Sequence, residues 1–436
     1  MKRPIFSGLW QHSDFRKLWI AHTIAQFGAQ ISGLAIPLAA VILLDASAAQ
    51  MGVMLALVAL PALLVGLFIG VWVDRLQRRP LLIAADLGRA VVLVAVPILA
   101  VTDQLRIEHL YVIAFLQGTL RLLFNVAYRS YLPSLISRDQ LVDGNSKLEL
   151  SRSASDIAGP GMAGGLVQLI TAPFAVLLHV VGLLFSALFL STIRAAETTP
   201  ERDPDRRVWR EVRDGLRFVV RDRVLRALAG CAVSLGFFSA VVDVVILLYI
   251  VDELGVSAGL LGLIFSAGNI GFLIGALMPQ RLVHWIGLGP ALGLGLVITG
   301  VGDLIIPLAS GPSLLLLATL AAGQLMFGAG ITVFRINEVS LRQALTPDRM
   351  QGRMNATMSM MLQGVVPAGA LVGGILGTTL GLRTTFIMAA IGEMLIILWL
   401  VLSPIWSMKR HPLPIEPGLE STPPVRFVES GESSNT

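Results

Sequence analysis

Apolar residues fill the chain in long runs that short polar segments separate. A helix of roughly 20 apolar residues crosses about 30 Å of hydrocarbon, so each run predicts one membrane span. The predicted spans are Leu18–Leu43, Met51–Val73, Leu81–Val101, Leu110–Leu132, Leu148–Ile170, Ala172–Ile193, Ala227–Val251, Leu260–Val283, Pro290–Ala309, Leu314–Asn337, Met354–Leu380 and Thr384–Met408. The pattern therefore predicts an all-α membrane protein with 12 transmembrane helices.

A polar central segment divides these spans into two sets of six. The two sets echo each other, since Asp139 after the fourth span matches Asp348 after the tenth span. Parallel repeats of this kind predict two six-helix bundles with a pathway between them. The predicted parts are an N-terminal bundle (1–193), a cytoplasmic linker (194–226), a C-terminal bundle (227–408) and a disordered cytoplasmic tail (409–436) rich in Pro, Ser and Glu.

The linker contains an amphipathic pattern. Its apolar residues Trp209, Val212, Leu216 and Val219 recur at helical spacing among several arginines. Such a pattern predicts a cationic helix that lies on the inner leaflet, either as a simple anchor or as a lipid sensor.

Basic residues indicate the orientation of the chain. The chain has 33 Lys and Arg residues, and nearly all of them lie in segments on one side of the predicted membrane. The exceptions are Arg106 and Arg383 in outer loops and Arg89, Arg121 and Arg335 within spans. Because positively charged loops stay cytoplasmic, both termini are predicted to be cytoplasmic. No cleavable signal is apparent before the first span, which we expect to act as an uncleaved insertion signal.

Composition narrows the class of protein. Charged residues make up 14% of the chain, against about 25% in soluble domains, which excludes a soluble enzyme with one packed core. Cys231 is the only cysteine, so no intrachain disulfide can form. The sequence has no phosphate-binding loop, no metal-ligand spacing of histidines and no nucleophile and base pair. We therefore expect no enzyme activity and no cofactor, with energy taken from an ion gradient or from a separate ATPase subunit.

The loop between the second and third predicted spans reads GVWVDRLQRRP and begins at Gly70. In it, Asp74 stands at a helix end beside Arg75, Arg78 and Arg79. An acidic residue at this place can bridge to a neighbouring helix end and hold one conformation of two rocking bundles. Anchoring by positive charge alone is the alternative.

This loop resembles the loop motif of the major facilitator superfamily, with Gln77 in place of a usual glycine. Three further segments, DGLRFVVRDRVLRAL, YLPSLISRDQLVDGNS and LRQALTPDRMQGRMN, resemble its drug-exporter-like branch, which includes macrolide and enterobactin exporters. The resemblance implies the major facilitator fold, alternating access and a cytoplasmic latch between Asp74 and the start of the eleventh span. The superfamily's acidic partner at the end of the fourth span is missing, and Asp139 is the nearest substitute.

The fifth span contains GPGMAGG, which resembles the Gly-Pro motif of antiporters and exporters through Gly159, Pro160, Gly164 and Gly165. Pro160 removes a backbone donor, and the glycines let helices approach closely. The motif predicts a kinked, tightly packed interface, for which generic packing of small residues is the alternative.

Charged residues within the spans are few: Asp86, Arg89, Arg121, Asp156, Asp243, Asp303, Arg335, Glu338 and Glu393. Each costs about 2.5 to 3.5 kcal/mol to insert and should face a partner or a wet cavity. Asp243 is our first candidate for proton coupling, because a carboxylate in an apolar site can exchange protons near neutral pH and the seventh span lines the pathway in the superfamily that the chain resembles. A structural hydrogen bond near a helix end is the alternative for Asp243. Arg121 in the fourth span is the second candidate, with a buried ion pair as its alternative.

Polar and aromatic residues suggest where the cargo passes. Gln26 and Gln30 share one face of the first span, and Phe124 and Phe237 lie on the fourth and seventh spans. These residues suit an amphiphilic cargo, although hydrogen bonding between helices and ordinary packing explain them as well.

We therefore expect a secondary active exporter in the plasma (inner) membrane that exchanges an amphiphilic, drug-like, macrolide-like or siderophore-like molecule for protons. Its expected partners are this cargo, protons and the lipid bilayer, with no nucleic acid, and we expect a monomer. The alternatives are a lipid-handling transporter or flippase of the same fold and a membrane sensor that does not transport.

Overall fold

A computed structural model of the chain describes residues 8–195, 197 and 208–410. Helices and short loops account for these residues. The α-helices are α1 (Ser13–Leu44), α2 (Ala48–Leu64), α3 (Gly66–Arg75), α4 (Arg78–Val101), α5 (Ile107–Leu135), α6 (Leu141–Ile170), α7 (Ala172–Ser191), α8 (Val208–Arg221), α9 (Arg223–Leu248), α10 (Ala258–Ala276), α11 (Pro279–Ile286), α12 (Leu288–Ile305), α13 (Ser313–Ala344), α14 (Asp348–Leu380), α15 (Leu382–Leu395) and α16 (Ile397–Val401). Most of the tail that we predicted to be disordered lies outside the described residues.

Ten helices in the described part of the chain are long and apolar enough to cross a membrane. The other two predicted spans correspond to α2 and α6. The α2 helix is shorter, with 17 residues. The α6 helix has 30 residues, but its first half is polar. The prediction of an all-helical protein with many membrane-crossing helices is therefore confirmed.

Local sequence explains where several helices begin and break. The side chain of Ser47 caps α2 in a capping box with Gln50, and Asp222 accepts hydrogen bonds from the first backbone amides of α9. The second predicted span breaks at Val65 into α2 and α3. The eighth predicted span breaks before Pro279 into α10 and α11. The twelfth predicted span likewise divides at Ile396 into α15 and α16, so three of the predicted spans are each made of two helices.

Helices pack mainly within each half of the chain. In the first half, α1 packs against α6 and α7, and α4 packs against α5 and α7. In the second half, α13 packs against α10 and α12, and α9 packs against α14 and α15. Apolar side chains such as Leu38, Val176 and Leu183 are fully buried between the helices of the first half. Membrane helices that bury this much side chain surface associate through close packing.

The loops between the long helices alternate between two faces of the molecule. We call the face with residues 76–77, 136–140 and 192–195 the terminal face, because the first and last described residues also lie there. The other face, here the opposite face, carries residues 45–47, 102–106, 254–257 and 381.

The two halves meet near the opposite face, where α2 packs against α14 and α6 packs against α10. A Cβ atom added at Gly52 of α2 would lie 2.5 Å from the carbonyl oxygen of Ala370 and 3.0 Å from Cα of Gly374. The backbone amide of Ala49 donates a hydrogen bond to Oγ1 of Thr378 over 3.1 Å. Because glycine has no side chain, the backbones of the two halves approach closely here.

The linker helix α8 packs partly against the second half. Val219 is fully buried, and a Cβ atom at Gly215 would lie 2.9 Å from the carbonyl oxygen of Arg353 in α14. Leu216 stays exposed. The predicted apolar stripe is therefore divided between protein contact and exposed surface, while the side chains of Trp209 and Val212 lie outside the described residues.

Candidate functional site

A cavity of about 370 Å³ lies between the two halves. Its walls come from α1, α2, α4, α5 and α7 of the first half and from α9 and α10 of the second half. Most of the lining is apolar, and the charged side chains on it are Arg89, Arg121 and Asp243, together with His179. Of the predicted coupling candidates, the structure thus places both Asp243 and Arg121 on one cavity.

One buried polar network supports the wall of the first half. Nη1 of Arg89 lies 3.6 Å from Oδ1 of Asp86, and Oγ of Ser186 donates to Oδ2 of Asp86 over 2.6 Å. Nε of Arg89 donates to Oε1 of Gln117 over 3.3 Å. Asp86 and Arg89 therefore neutralise each other, three residues apart on one helix.

His179 extends this network to α1. Its Nε2 lies 3.3 Å from Nη2 of Arg89, and its Nδ1 lies 2.7 Å from Oγ of Ser32. A guanidinium group can only donate, so Nε2 accepts, and Nδ1 carries the proton that is donated to Ser32. The imidazole packs over Gly28, where an added Cβ atom would lie 2.5 Å from Cδ2 of His179. His179 is therefore held in one tautomer and one position.

Arg121 differs from Arg89. It lies near the middle of α5 and is exposed to the cavity. No ion pair or hydrogen bond joins its side chain to any other described residue. The wall of the first half thus carries one positive charge that the described part of the protein does not neutralise.

Asp243 carries the corresponding negative charge on the wall of the second half. Its helix continues through a π-helical turn at Tyr249–Glu253, so Asp243 lies well inside α9 rather than close to a loop. The side chain is accessible from the cavity, and no basic side chain among the described residues pairs with it. Asp243 also lines a second cavity of about 250 Å³, which Asp303 and Gln324 line from the other side.

Two further carboxyl groups lie beyond Asp243. Asp303 on α12 and Glu393 on α15 are almost completely buried and interact electrostatically, and Oδ2 of Asp303 and Oε2 of Glu393 have no hydrogen-bond partner among the described residues. Oγ of Ser239 donates to Oε1 of Glu393 over 2.7 Å. Because two like charges buried next to each other cannot both be ionised at low cost, one of these two carboxyl groups can hold a proton. Both residues were among the charges that the sequence places within the spans, but neither was a first candidate for coupling.

Two arginines of the predicted loop motif, Arg78 and Arg79, bond to the first half and to the linker that follows it. Nη1 of Arg78 lies 3.7 Å from Oε1 of Glu197, whose carboxylate also accepts from the backbone amides at the start of α4. Nε of Arg79 donates to the carbonyl oxygen of Leu190 over 3.0 Å. The acidic partner is therefore Glu197 in the linker, and Asp139 forms no ion pair among the described side chains. The side chain of Asp74 lies outside the described residues.

The predicted Gly-Pro motif lies at the contact between α6 and α10. A Cβ atom at Gly164 would collide with the carbonyl oxygen of Ala258 and would lie 3.0 Å from Cα of Gly262. Around Gly165, by contrast, nothing lies within 4 Å of an added Cβ atom. Pro160 lies within α6 and also lines the second cavity.

The remaining predicted pathway residues lie away from the lining of the central cavity. Nε2 of Gln30 donates to Oδ1 of Asp156 over 2.5 Å, and Cβ of Gln30 packs against Gly159. Phe124 is buried and stacks on Tyr128 at 5.9 Å. The partner of Phe237 is Phe238, with ring centroids 5.3 Å apart. For Gln26 and these aromatic residues, a role in the pathway stays a prediction.

The buried network gives a first testable prediction. Asp86→Asn is expected to destabilise the protein by about 3–5 kcal/mol, because Arg89 would stay buried without its counter-ion. Thermal unfolding of the purified protein in detergent measures the effect. The double variant Asp86→Asn/Arg89→Gln is the control, since it removes both charges and is expected to recover most of the lost stability. An unchanged unfolding temperature for Asp86→Asn would show that the pair is not important for stability.

Within the described part of the chain, no group of three or more His, Cys, Asp or Glu side chains could hold a metal ion. The lone thiol, Cys231, is buried.

Comparisons with known proteins complete the description of the site. A protein-family model described as transmembrane secretion effector matches residues 6–418. The chain is 26% identical to the multidrug efflux pump Tap of Mycolicibacterium fortuitum over 349 residues, and this alignment covers 77% of this chain and 83% of Tap. It is 23% identical over 369 residues to the enterobactin exporter EntS of Escherichia coli O81 (strain ED1a), with coverage of 84% and 85%. A bacterial homologue of the iron transporter ferroportin, solved in an inward-facing state, has the same fold, with a TM-score of 0.72 at 16% identity over 89% of this chain and 98% of that chain.

Proposed function

The chain belongs to the transmembrane secretion effectors of the major facilitator superfamily, and from this premise we propose that it exports an amphiphilic small molecule in exchange for protons. It is a multi-pass protein of the plasma membrane and a secondary transporter that exports small molecules. Amphiphilic cargo, alternating access and proton exchange are the parts that we propose.

The proposed topology has twelve spans. The α2 and α3 helices together form the second span, and α6 crosses with its polar first half next to the terminal face. Both termini and the terminal face are then cytoplasmic, as the placement of Lys and Arg indicates. The N-terminal bundle (1–193) and the C-terminal bundle (227–408) rock against each other around the central cavity, joined by the linker (194–226).

The contacts between the halves support an inward-facing state. Close backbone contacts of α2 with α14 and of α6 with α10 hold the halves together near the opposite face. On the terminal side, α3 packs against α5 of its own half, and the loop that follows it is bonded to Glu197 and Leu190. We propose that Arg75, which is exposed at the end of α3, and Asp74 contact the second half only when the cytoplasmic side closes.

The observation that carries the proton-exchange proposal is the unpaired carboxylate of Asp243 on the wall of the central cavity. In an apolar cavity at membrane depth, a carboxylate without a counter-ion is costly, so it favours binding of a proton or of a cation. The second cavity joins Asp243 to the buried pair of Asp303 and Glu393. We propose that a counter-transported proton resides on these three carboxyl groups while the cargo occupies the central cavity.

The volume and lining of the central cavity support a drug-sized, mainly apolar cargo. Two relatives also support an exported small molecule, because Tap is a multidrug efflux pump and EntS is an enterobactin exporter. The identity of the cargo is therefore sought first among drugs and siderophores.

The experiment is efflux from cells that lack their own exporters. Cells that express the protein are loaded with a panel of drugs and siderophores, and their efflux is followed with and without a protonophore uncoupler. We expect export of at least one compound above the empty-vector level and a return to that level after the uncoupler is added. Export that continues unchanged in the uncoupler would contradict proton exchange, and no export of any compound would contradict the amphiphilic cargo.

A further inference from the structure

The guanidinium of Arg121 stands on the cavity wall without a counter-ion. Arg89, on the same wall, is paired with Asp86 at 3.6 Å. Asp156 lies close enough to interact with Arg121 electrostatically, but it forms its own ion pair with Arg152 over 3.3 Å and accepts a hydrogen bond from Gln30. The protein thus supplies an ion-pair partner to Arg89 and to Asp156, but the described residues supply none to Arg121.

An unneutralised arginine at mid-membrane depth is costly unless something else supplies its counter-ion. Guanidinium groups bind carboxylates in a bidentate manner and retain their charge at all physiological pH values. The cavity side of Arg121 is open to a ligand, since the residue lines the space between the halves. An anionic group of a bound molecule would provide the missing partner.

On the second half, Asp243 faces the same cavity and is also unpaired. Between the two charges the lining is largely apolar and includes Met54, Leu55 and Val58. A molecule with only a cationic group would leave Arg121 unpaired, and a molecule with only an anionic group would leave Asp243 unpaired. A molecule with both groups satisfies both walls.

We propose that the cavity binds an amphoteric cargo, whose acidic group pairs with Arg121, whose protonated amine pairs with Asp243 and whose apolar body lies between them. This inference rests on the proposed function and specifies its substrate class. It gives Arg121 the role of an anchor for the anionic group, and it makes the amine and the exchanged proton competitors for one carboxylate. The acidic group is therefore the feature that separates good substrates from poor ones.

Three xanthene dyes of one shape test this proposal. Rhodamine 110 carries a cationic diaminoxanthylium and a free carboxylate, rhodamine 123 is its methyl ester and lacks the anion, and fluorescein keeps the carboxylate but has an anionic phenolate system in place of the cationic amine system. Equilibrium binding to the purified full-length protein in detergent is measured by fluorescence anisotropy. No gradient is present, so the result does not depend on proton exchange or on the direction of transport.

We expect the unsubstituted protein to bind rhodamine 110 at least about tenfold more tightly than either of the other dyes, the usual effect of one charge-assisted hydrogen bond in a desolvated site. Arg121→Gln is expected to bind rhodamine 110 and rhodamine 123 equally. Arg121→Lys keeps the positive charge and is expected to retain most of the preference, while thermal unfolding checks that both variants are folded.

Other outcomes overturn the proposal. Equal binding of rhodamine 110 and rhodamine 123 by the unsubstituted protein would show that no anionic group is recognised. A preference that persists in Arg121→Gln would place recognition elsewhere. Equal loss of all three dyes in Arg121→Gln would assign Arg121 a structural role. Proton-dependent efflux in cells would stand in each case, because it is measured separately.

Discussion

Asp243→Asn is expected to abolish uncoupler-sensitive export while the protein stays folded and inserted. Asparagine has nearly the same size as aspartate but cannot gain or lose a proton, so the wall of the second half loses its exchangeable charge. The cavity lining around Asp243 imposes no steric barrier to this change, because the side chain is accessible from the cavity. Efflux from cells without their own exporters measures the effect, and the amount of protein in the membrane and its unfolding temperature are measured in parallel.

The matched control is Asp252→Asn. Asp252 lies on the π-helical turn that continues α9, is exposed, and is not part of the cavity lining. The same chemical change is made there on the same helical segment, and we expect it to leave export intact. Full export by Asp243→Asn would remove Asp243 from the coupling role, and equal loss in both variants would point to a general effect of the substitution.

Sequence alone identified Asp243 and Arg121 because charges are rare within apolar runs. The bilayer makes each such residue expensive, so its presence indicates a function or a partner. In the structure, neither Asp243 nor Arg121 has an ion-pair partner among the described residues, and their roles stay predictions. Arg89 has a counter-ion three residues away on its own helix, which spacing reveals, whereas Arg121 has none among the described residues.

Contacts between distant helices were beyond the reach of the sequence. Asp303 and Glu393 come together because α12 packs against α15, and nothing in the neighbourhood of either residue specifies that contact. His179 lies in an apolar run on α7, and its partners are on α1 and α4. A single polar residue in an apolar helix signals that a partner exists but does not identify the partner.

The loop motif shows a second limit of what could be predicted from the sequence. Arg78 and Arg79 were predicted to take part in a latch between the halves, and in the structure they bond to Glu197, Leu190 and Ser191. Glu197 lies in a polar linker where acidic residues are common, so no signal distinguished it. The resemblance directed attention to this loop, whereas the acidic partner of Arg78 is identified only by the packed structure.

The second prediction with a large expected effect concerns the contact between α6 and α10. Gly164→Ala adds one methyl group that collides with the carbonyl oxygen of Ala258, and backbone atoms cannot move aside as a flexible side chain would. The helices must separate near the opposite face, which is extracellular in the proposed topology. Overpacking of this kind costs about 1–3 kcal/mol, which shifts the conformational equilibrium away from the inward-facing state by roughly 5- to 150-fold. Export is expected to fall accordingly.

Gly165→Ala is the matched control, because the adjacent position has no atom within 4 Å of an added Cβ. A reporter cysteine at the buried Val167, in a protein whose Cys231 is replaced by serine, reads the separation of the helices from outside the cell. Faster labelling by a membrane-impermeant thiol reagent is expected in Gly164→Ala and not in Gly165→Ala. If both variants label and export like the unsubstituted protein, the glycine contact does not hold the halves together, and closure of the outer side must depend instead on the packing of α2 against α14.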